Sequence, residues 1–419
     1  MQYSNEILQL AAKAEKDLAP HFERIDRISF ENTQRVMDAF REFRVSDTMF
    51  GSTSGYGYDD RGRDTLDQIW ANVFGAEAAF VRQQIVSGTQ ALTIGLFGLL
   101  RPGDLMLSVA GKPYDTLEEV IGIVGTPGDG SLRDFGVDYA QIDLTSEGQF
   151  DFPAIRAALE ENAGRVKMVF VQRSKGYLDR RTLTVDEIGE LVKFVKGISP
   201  ESYVVVDNCY GEFVEDREPT AVGADMIIGS LIKNPGGGMA ETGGYIAGTR
   251  RAVELASYRL TSVGCGTEVG ATLGQNKMMY KGLFYAPHTV AQALKSAHLV
   301  AYLFEALGCR VAPRWDEVRS DIIQTVITGS PEGLCAFCRG IQAGSPVDSF
   351  VTPEPWAMPG YTSEVIMAAG AFTQGSSIEM SADGPLRPPY IAYFQGGLTY
   401  ESAKIGILAA ADRMLQNKA

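Results

Sequence analysis

Basic residues are in the minority. The chain carries 38 Lys and Arg against 52 Asp and Glu, a formal net charge of -14 with an isoelectric point near 4.8. Phosphate backbones need basic patches, so no nucleic-acid partner is expected. Histidine is scarce, with three residues, and the five cysteines are sparse and odd in number. Such a set fits a reducing compartment, and a cytoplasmic location is expected. Cys335 and Cys338 form a C-x-x-C, but no second pair accompanies them, so no metal site is expected. In PEGLCAFCRGIQ the two thiols fall on one helical face, where packing is the expected role. Long apolar runs are missing too. The longest, ALTIGLFGLL, is about half of what a membrane span needs, so no membrane partner is expected. The opening stretch, MQYSNEILQLAAKAEKDLAP, lacks the basic start and cleavage site of a signal peptide. It reads instead as an amphipathic helix, with Ile7, Ala11, Ala14 and Leu18 on one face.

What is present is a globular composition: 45% hydrophobic and 21% charged residues in 419. That length suits a large domain with a smaller one. Two helices are expected in the first 45 residues, then a glycine- and tyrosine-rich loop, GSTSGYGYDDRGRD. Strands and helices alternate after it. VKMVFVQ, YVVVD and ADMIIGS are continuous apolar runs, the signature of strands buried on both faces. Their spacing by helical patterns predicts an α/β fold, a mostly parallel sheet with helices on both sides. Beyond about residue 288 a long helix leads into a mixed segment. The expected division is 1–50 as N-terminal helices packing on a small domain, 51–288 as the large domain, and 289–419 as a small C-terminal α+β domain.

In parallel α/β sheets ligands gather beyond the carboxyl ends of the strands. Ser87-Gly88-Thr89 stands between a strand and a helix, where free N–H groups suit a phosphate or Ser87 or Thr89 simply caps the helix. Asp207 follows the apolar run of YVVVD, and a carboxylate there must find a partner, as a helix cap, in an ion pair, or against a cationic ring nitrogen. Tyr210 stands three residues on. In GSLIKNPGGG, Lys233 follows a strand and precedes a glycine run. A loose surface loop is one reading of that run; a backbone approached closely by something is the other. Taken together, an anion cradle, a carboxylate, a lysine and an aromatic ring are what pyridoxal 5'-phosphate requires. Tyr114, in AGKPYDTLEEV, is the candidate for stacking on the ring, core packing being its plainer role.

The order SGT, DNCYGEF, SLIKNPGGG resembles the fold-type I pyridoxal phosphate enzymes. GYGYDDRGRDTLDQIWA, SGTQAL, VQRSKGY, VVVDNCYGEF and SLIKNPGGGMAETGGYIAG resemble one branch of them, the methionine γ-lyase or cystathionine β-lyase-like family often labelled aluminium resistance protein. The resemblance implies that Lys233 forms the Schiff base and that Asp207 faces the ring nitrogen. Gly88, Thr89 and Ser230 would hold the phosphate, and Tyr114 would stack. It implies a homodimer or homotetramer, with Tyr58 and Arg61 as the nearest match to an element that crosses from the neighbouring subunit. The expected reaction is cleavage of a carbon–sulfur bond in an amino acid, with Lys233 as base and Tyr114 or Tyr56 as acid. Arg387, in GPLRPPY, is the first choice for the substrate carboxylate and Arg173, in VQRSKGY, the second; a structural ion pair is the alternative for each. An aminotransferase is the enzymatic rival. A metal-stress protein, or a cofactor-binding protein with little catalysis, is the other.

Overall fold

The computed structural model describes residues 3–358 and 363–418. The chain divides into two units, Gln34–Leu231 with Ala240–Lys281, and Met1–Thr33 with Ile232–Met239 and Gly282–Ala419.

The larger unit is built on seven strands: β1 (Ala78–Arg82), β2 (Leu105–Ser108), β3 (Asp138–Gln141), β4 (Val166–Gln172), β5 (Tyr203–Asp207), β6 (Met226–Ser230) and β7 (Gly244–Gly248). Their spatial order is β1-β7-β6-β5-β4-β2-β3. The run from β6 to β3 is parallel, while β7 is antiparallel to both β6 and β1. The sheet is therefore mixed at one edge. Because β1 and β6 each oppose β7, they point the same way, and β1 ends on the same side as the parallel strands. Every residue of β6 and β7 is buried, as the unbroken apolar runs require. Alternation along the strands separates two faces. Ile228, Ile246 and Phe170 meet the helices Gly88–Leu99 and Arg250–Leu260 on one. On the other, Tyr245 packs against Trp70 and Phe74, at the end of the helix Arg61–Val73.

The smaller unit carries an antiparallel sheet of β8 (Arg310–Ala312), β9 (Gln324–Ile327), β10 (Val365–Ala368), β11 (Ser381–Pro385) and β12 (Ile391–Gln395), ordered β10-β11-β12-β9-β8. Helices Pro331–Ala343 and Tyr400–Lys418 share its core. The first helix, Asn5–Asp17, adds Ile7, Ala11 and Ala14 to that core, with Leu18 just beyond its end. Cys338 lies in the same core, Cys335 packs against it, and all five cysteines are free thiols.

The boundaries differ from those read off the sequence. Residues 34–50 belong to the larger unit, where Asn276 Nδ2 donates to the Met49 carbonyl at 3.2 Å. The long helix begins at Asn276, well before residue 289, and residues 232–239 cluster with the smaller unit.

Candidate functional site

Strand ends of the larger unit bring several of the expected residues together. β1 leads through a short turn to Ser87, whose hydroxyl accepts the Gln90 N–H at 3.0 Å and so caps the helix Gly88–Leu99. The first turn carries no acidic side chain, which leaves the positive end of the helix open to an anion. A Cβ placed on Gly88 would stand 3.4 Å from the Ser230 Cβ at the end of β6 and 3.7 Å from the Cys209 Sγ. Gly88, Ser230 and the segment after β5 thus converge. The Thr89 and Thr116 hydroxyls share a hydrogen bond of 2.8 Å, which ties this helix start to the segment carrying Tyr114.

Asp207 closes β5 and is buried, and its Oδ1 accepts the Cys209 N–H at 3.1 Å. Its register partner on β4 is Gln172. Tyr114 precedes the helix Asp115–Ile121. A Cβ on Gly176 would lie 3.0 Å from the Tyr114 ring and 3.1 Å from the Gln172 amide nitrogen, so ring and amide both lie against Gly176. Gln172 Nε2 donates to the Ser174 carbonyl at 3.0 Å, while its Oε1 is buried without a hydrogen-bond partner among the described residues. A buried orphan acceptor calls for a donor.

Pyridoxal phosphate fits this donor set. The open helix start with Thr89 and Ser230 suits a dianion, Asp207 suits a protonated ring nitrogen, and the Gln172 carbonyl can take a polar hydrogen from a bound group. Gln172 was not singled out by sequence reasoning. Its place as the last residue of VKMVFVQ, a polar side chain closing a buried strand, is the signal that could have found it.

Other expected residues have surroundings of their own. Arg173 is 0% exposed, with its guanidinium directed at Asn208 and Glu215. Its charge is met within the protein by Glu215 at 2.7 Å and Glu218 at 3.6 Å. Tyr56 and Tyr58 are 73% and 61% exposed, with stacked rings 5.5 Å apart. Arg61 is exposed at the start of its helix. Their loop has its own scaffold. Asp60 caps the helix through the Arg63 N–H at 2.9 Å and accepts Thr272 Oγ1 at 2.8 Å. Burial opposes its ionisation, yet the hydrogen bonds from Arg63, Thr53, Thr272 and Asn276 hold its pKa below the usual carboxylate range. Gln83 and Gln84, just past β1, donate to the Ala271 carbonyl at 2.8 and 2.6 Å, which places this loop at the β1 rim of the strand-end face. Tyr210 is half-buried with φ of 73°.

In the smaller unit, Arg387 is exposed on the turn between β11 and β12. Lys233 lies three residues past β6 and is half-buried, just before the short 3-10 turn Asn234–Gly236. Protein packs closely on the glycines after it. A Cβ on Gly237 would stand 2.4 Å from the Gly282 carbonyl oxygen, and one on Gly238 2.2 Å from Leu398 Cδ2. Thr289 Oγ1 donates to the Gly237 carbonyl at 3.2 Å. The run is a packed contact against the long helix, not a loose loop.

Residues 7–415 match the family model for methionine gamma-lyase. The chain belongs to the methionine gamma-lyase family. Uncharacterized protein YnbB of Bacillus subtilis strain 168 is 52% identical over 97% of this chain and 96% of its own. A crystal structure described as a carbon-sulfur lyase involved in aluminum resistance, from Clostridium novyi NT, superposes with a TM-score of 0.95 at 50% identity, over 98% of this chain and 96% of that one. CalE6, a methionine gamma lyase from Micromonospora echinospora, shares the fold at a TM-score of 0.56 and 19% identity, over 84% and 86% of the two chains. The architecture is that of the fold-type I enzymes. Within this family member, no helix among the described residues is long and apolar enough to cross a membrane.

Proposed function

We propose that this protein is a pyridoxal phosphate-dependent carbon–sulfur lyase that acts on a sulfur-containing amino acid. The observation that carries the reading is the convergence of Gly88, Ser230 and the end of β5 at one set of strand ends, in a chain whose family is that of methionine gamma-lyase.

When bound, pyridoxal phosphate supplies an electron sink for the pair left when the substrate Cα loses its proton. The backbone N–H groups of Gly88 and Thr89, with the Thr89 and Ser230 hydroxyls, hold the phosphate. Asp207 keeps a proton on the ring nitrogen by charge-assisted hydrogen bonding. Tyr114 offers a ring face, and Tyr210 a hydroxyl, to the same region. Lys233 would hold the cofactor aldehyde through its amine, and the same amine would serve as the base that takes the α-proton. The substrate α-carboxylate is held by Arg387, whose planar fork matches it. A tyrosine hydroxyl, from Tyr114 or Tyr56, gives its proton to the departing sulfur. Water then completes the balance, and the products are a thiol, ammonia and a 2-oxo acid.

The exposed Tyr56–Tyr58 pair is the surface for a second copy of the chain. Two stacked, solvent-facing aromatic rings at the rim of a ligand site are suited to burial in an interface, and Arg61 beside them carries a charge a neighbouring site can use. The test of function is product analysis with cystathionine and methionine. Equal yields of 2-oxo acid, ammonia and thiol are expected. Transfer of the amino group to an added 2-oxo acid, without ammonia, would make the protein an aminotransferase instead.

A further inference from the structure

Arg173 is an arginine with no solvent exposure at the carboxyl edge of a sheet. A buried charge of this kind is strongly coupled to its partners, so its partners indicate what it does. Nη1 donates to Asn208 Oδ1 at 2.8 Å and Nη2 to Glu215 Oε1 at 2.7 Å. Glu218, itself buried, has an oxygen 3.6 Å from the same guanidinium. The backbone N–H of Arg173 donates to the Asp207 carbonyl at 3.1 Å. Asn208 Nδ2 donates to Glu218 Oε2 at 2.9 Å, and the other Glu218 oxygen accepts the Phe213 N–H at 2.8 Å. One buried ion pair therefore grips both ends of the segment Asp207-Asn208-Cys209-Tyr210-Gly211-Glu212-Phe213.

That segment needs gripping. Tyr210 and Phe213 have φ of 73° and 61°, a left-handed conformation unfavourable for side chains of their size, which persists only where the surroundings enforce it. Gly211 lies directly over the guanidinium, and a Cβ there would stand 2.4 Å from Nη1. On the far side Tyr245 donates to Glu212 Oε1 at 2.8 Å. Gly229 of β6 leaves room for that bond, since a Cβ there would meet the Tyr245 ring at 2.5 Å and Glu212 Oε1 at 2.6 Å.

We propose that Arg173 and Glu218 form a buried clamp that fixes the Asp207–Phe213 turn and thereby aims the Asp207 carboxylate, making Arg173 a positioning residue and not a substrate ligand. The inference rests on the reading of Asp207 as the ring-nitrogen partner of pyridoxal phosphate.

The experiment compares cofactor-loaded wild-type protein with Arg173→Lys, with the charge-balanced pair Arg173→Met/Glu218→Gln, and with Gly211→Ala. The last variant presses on the guanidinium without removing a charge. Four quantities are read well below the unfolding temperature: cofactor dissociation constant, visible circular dichroism of bound cofactor, kcat and KM. A loosened supporting shell should weaken cofactor binding about ten-fold or more and lower kcat about ten-fold, with KM changed by less than about three-fold. The visible dichroism should fall in step, and Arg173→Lys should lie between wild type and the double variant. If the double variant does not fold, Gly211→Ala must still move the dichroism and the dissociation constant. A KM raised about ten-fold with both cofactor readouts unchanged would overturn the proposal and make Arg173 a substrate ligand. A lowered melting temperature with all four quantities unchanged would also overturn it, leaving a role in stability alone. Asp207→Asn is the separate control. If it leaves cofactor affinity and dichroism at wild-type values, the reading of Asp207 falls, and this inference falls with it, whatever the Arg173 variants do.

Discussion

Gly237→Ala is the most informative single change to the glycine run after Lys233. The added methyl would stand 2.4 Å from the Gly282 carbonyl oxygen and 2.9 Å from the Ala286 nitrogen, both backbone atoms of the long helix. Neither can swing aside as a side chain would. Overpacking against a fixed wall costs about 1–3 kcal/mol. The residue also has φ of 55°, and placing a Cβ there adds about 1 kcal/mol. Together these predict a loss of about 2–4 kcal/mol, or about 4–16 °C in Tm for a unit of this size. Gly238→Ala is the built-in comparison. It shares the positive φ, at 73°, but its nearest clash is with the Leu398 side chain, at 2.2 Å from Cδ2, and a leucine can change rotamer at about 1 kcal/mol. The assay is urea unfolding of both variants beside wild type, followed by cofactor titration. Gly237→Ala should be the less stable of the two and should also bind cofactor more weakly, because Lys233 lies four residues upstream. Equal, wild-type stability in both would refute the packed-contact account and restore the loose loop.

Three further outcomes follow from other parts of the molecule. Arg82 donates through Nη1 and Nη2 to the two Asp67 oxygens at 2.7 and 2.9 Å in a buried pair, so Asp67→Ala strands a buried guanidinium and should cost about 3–5 kcal/mol; a urea midpoint within error of wild type would contradict this. Asp60 has a lowered pKa in the folded state, so its contribution to stability is full above the unfolded value of about 4 and is lost as pH falls through the folded one. The stability gap between wild type and Asp60→Asn should therefore shrink on acidification below about pH 4 and stay constant from about pH 5 to 7; a gap that widened in acid would have the wrong sign. Arg387→Lys keeps the charge but loses the fork, and should raise KM for the amino acid about ten-fold with cofactor binding unchanged; an unaltered KM would remove Arg387 from substrate binding.

Much of the larger unit could be read from sequence, for a physical reason. VKMVFVQ past Lys167, YVVVD and MIIGS are strand segments buried on both faces, so they carry no charged residue before they end at the polar residues Gln172, Asp207 and Ser230. The antiparallel edge was not readable, because β1 pairs with β7 across more than 160 residues and no local pattern encodes that partner. β11, SADGP, escaped as well. It is buried along its length but built from small, polar and proline residues, which carry no strand periodicity. The glycines of GSLIKNPGGG did announce a close approach. What approaches Gly237 is Gly282, a residue inside a helix, and nothing in the decapeptide names it. Arg173 shows the same limit from the other side. VQRSKGY offers an arginine to a substrate carboxylate or to an ion pair, and only tertiary structure reveals Asn208, Glu215 and Glu218 closing around it.

The most direct test is to record the visible spectrum of the purified protein, reduce it with borohydride and map the labelled peptide by mass spectrometry. A yellow protein that bleaches on reduction and carries a pyridoxyl group on Lys233 is the predicted result. A protein that stays colourless with added cofactor, or a label on another lysine such as the buried Lys175, would contradict the account.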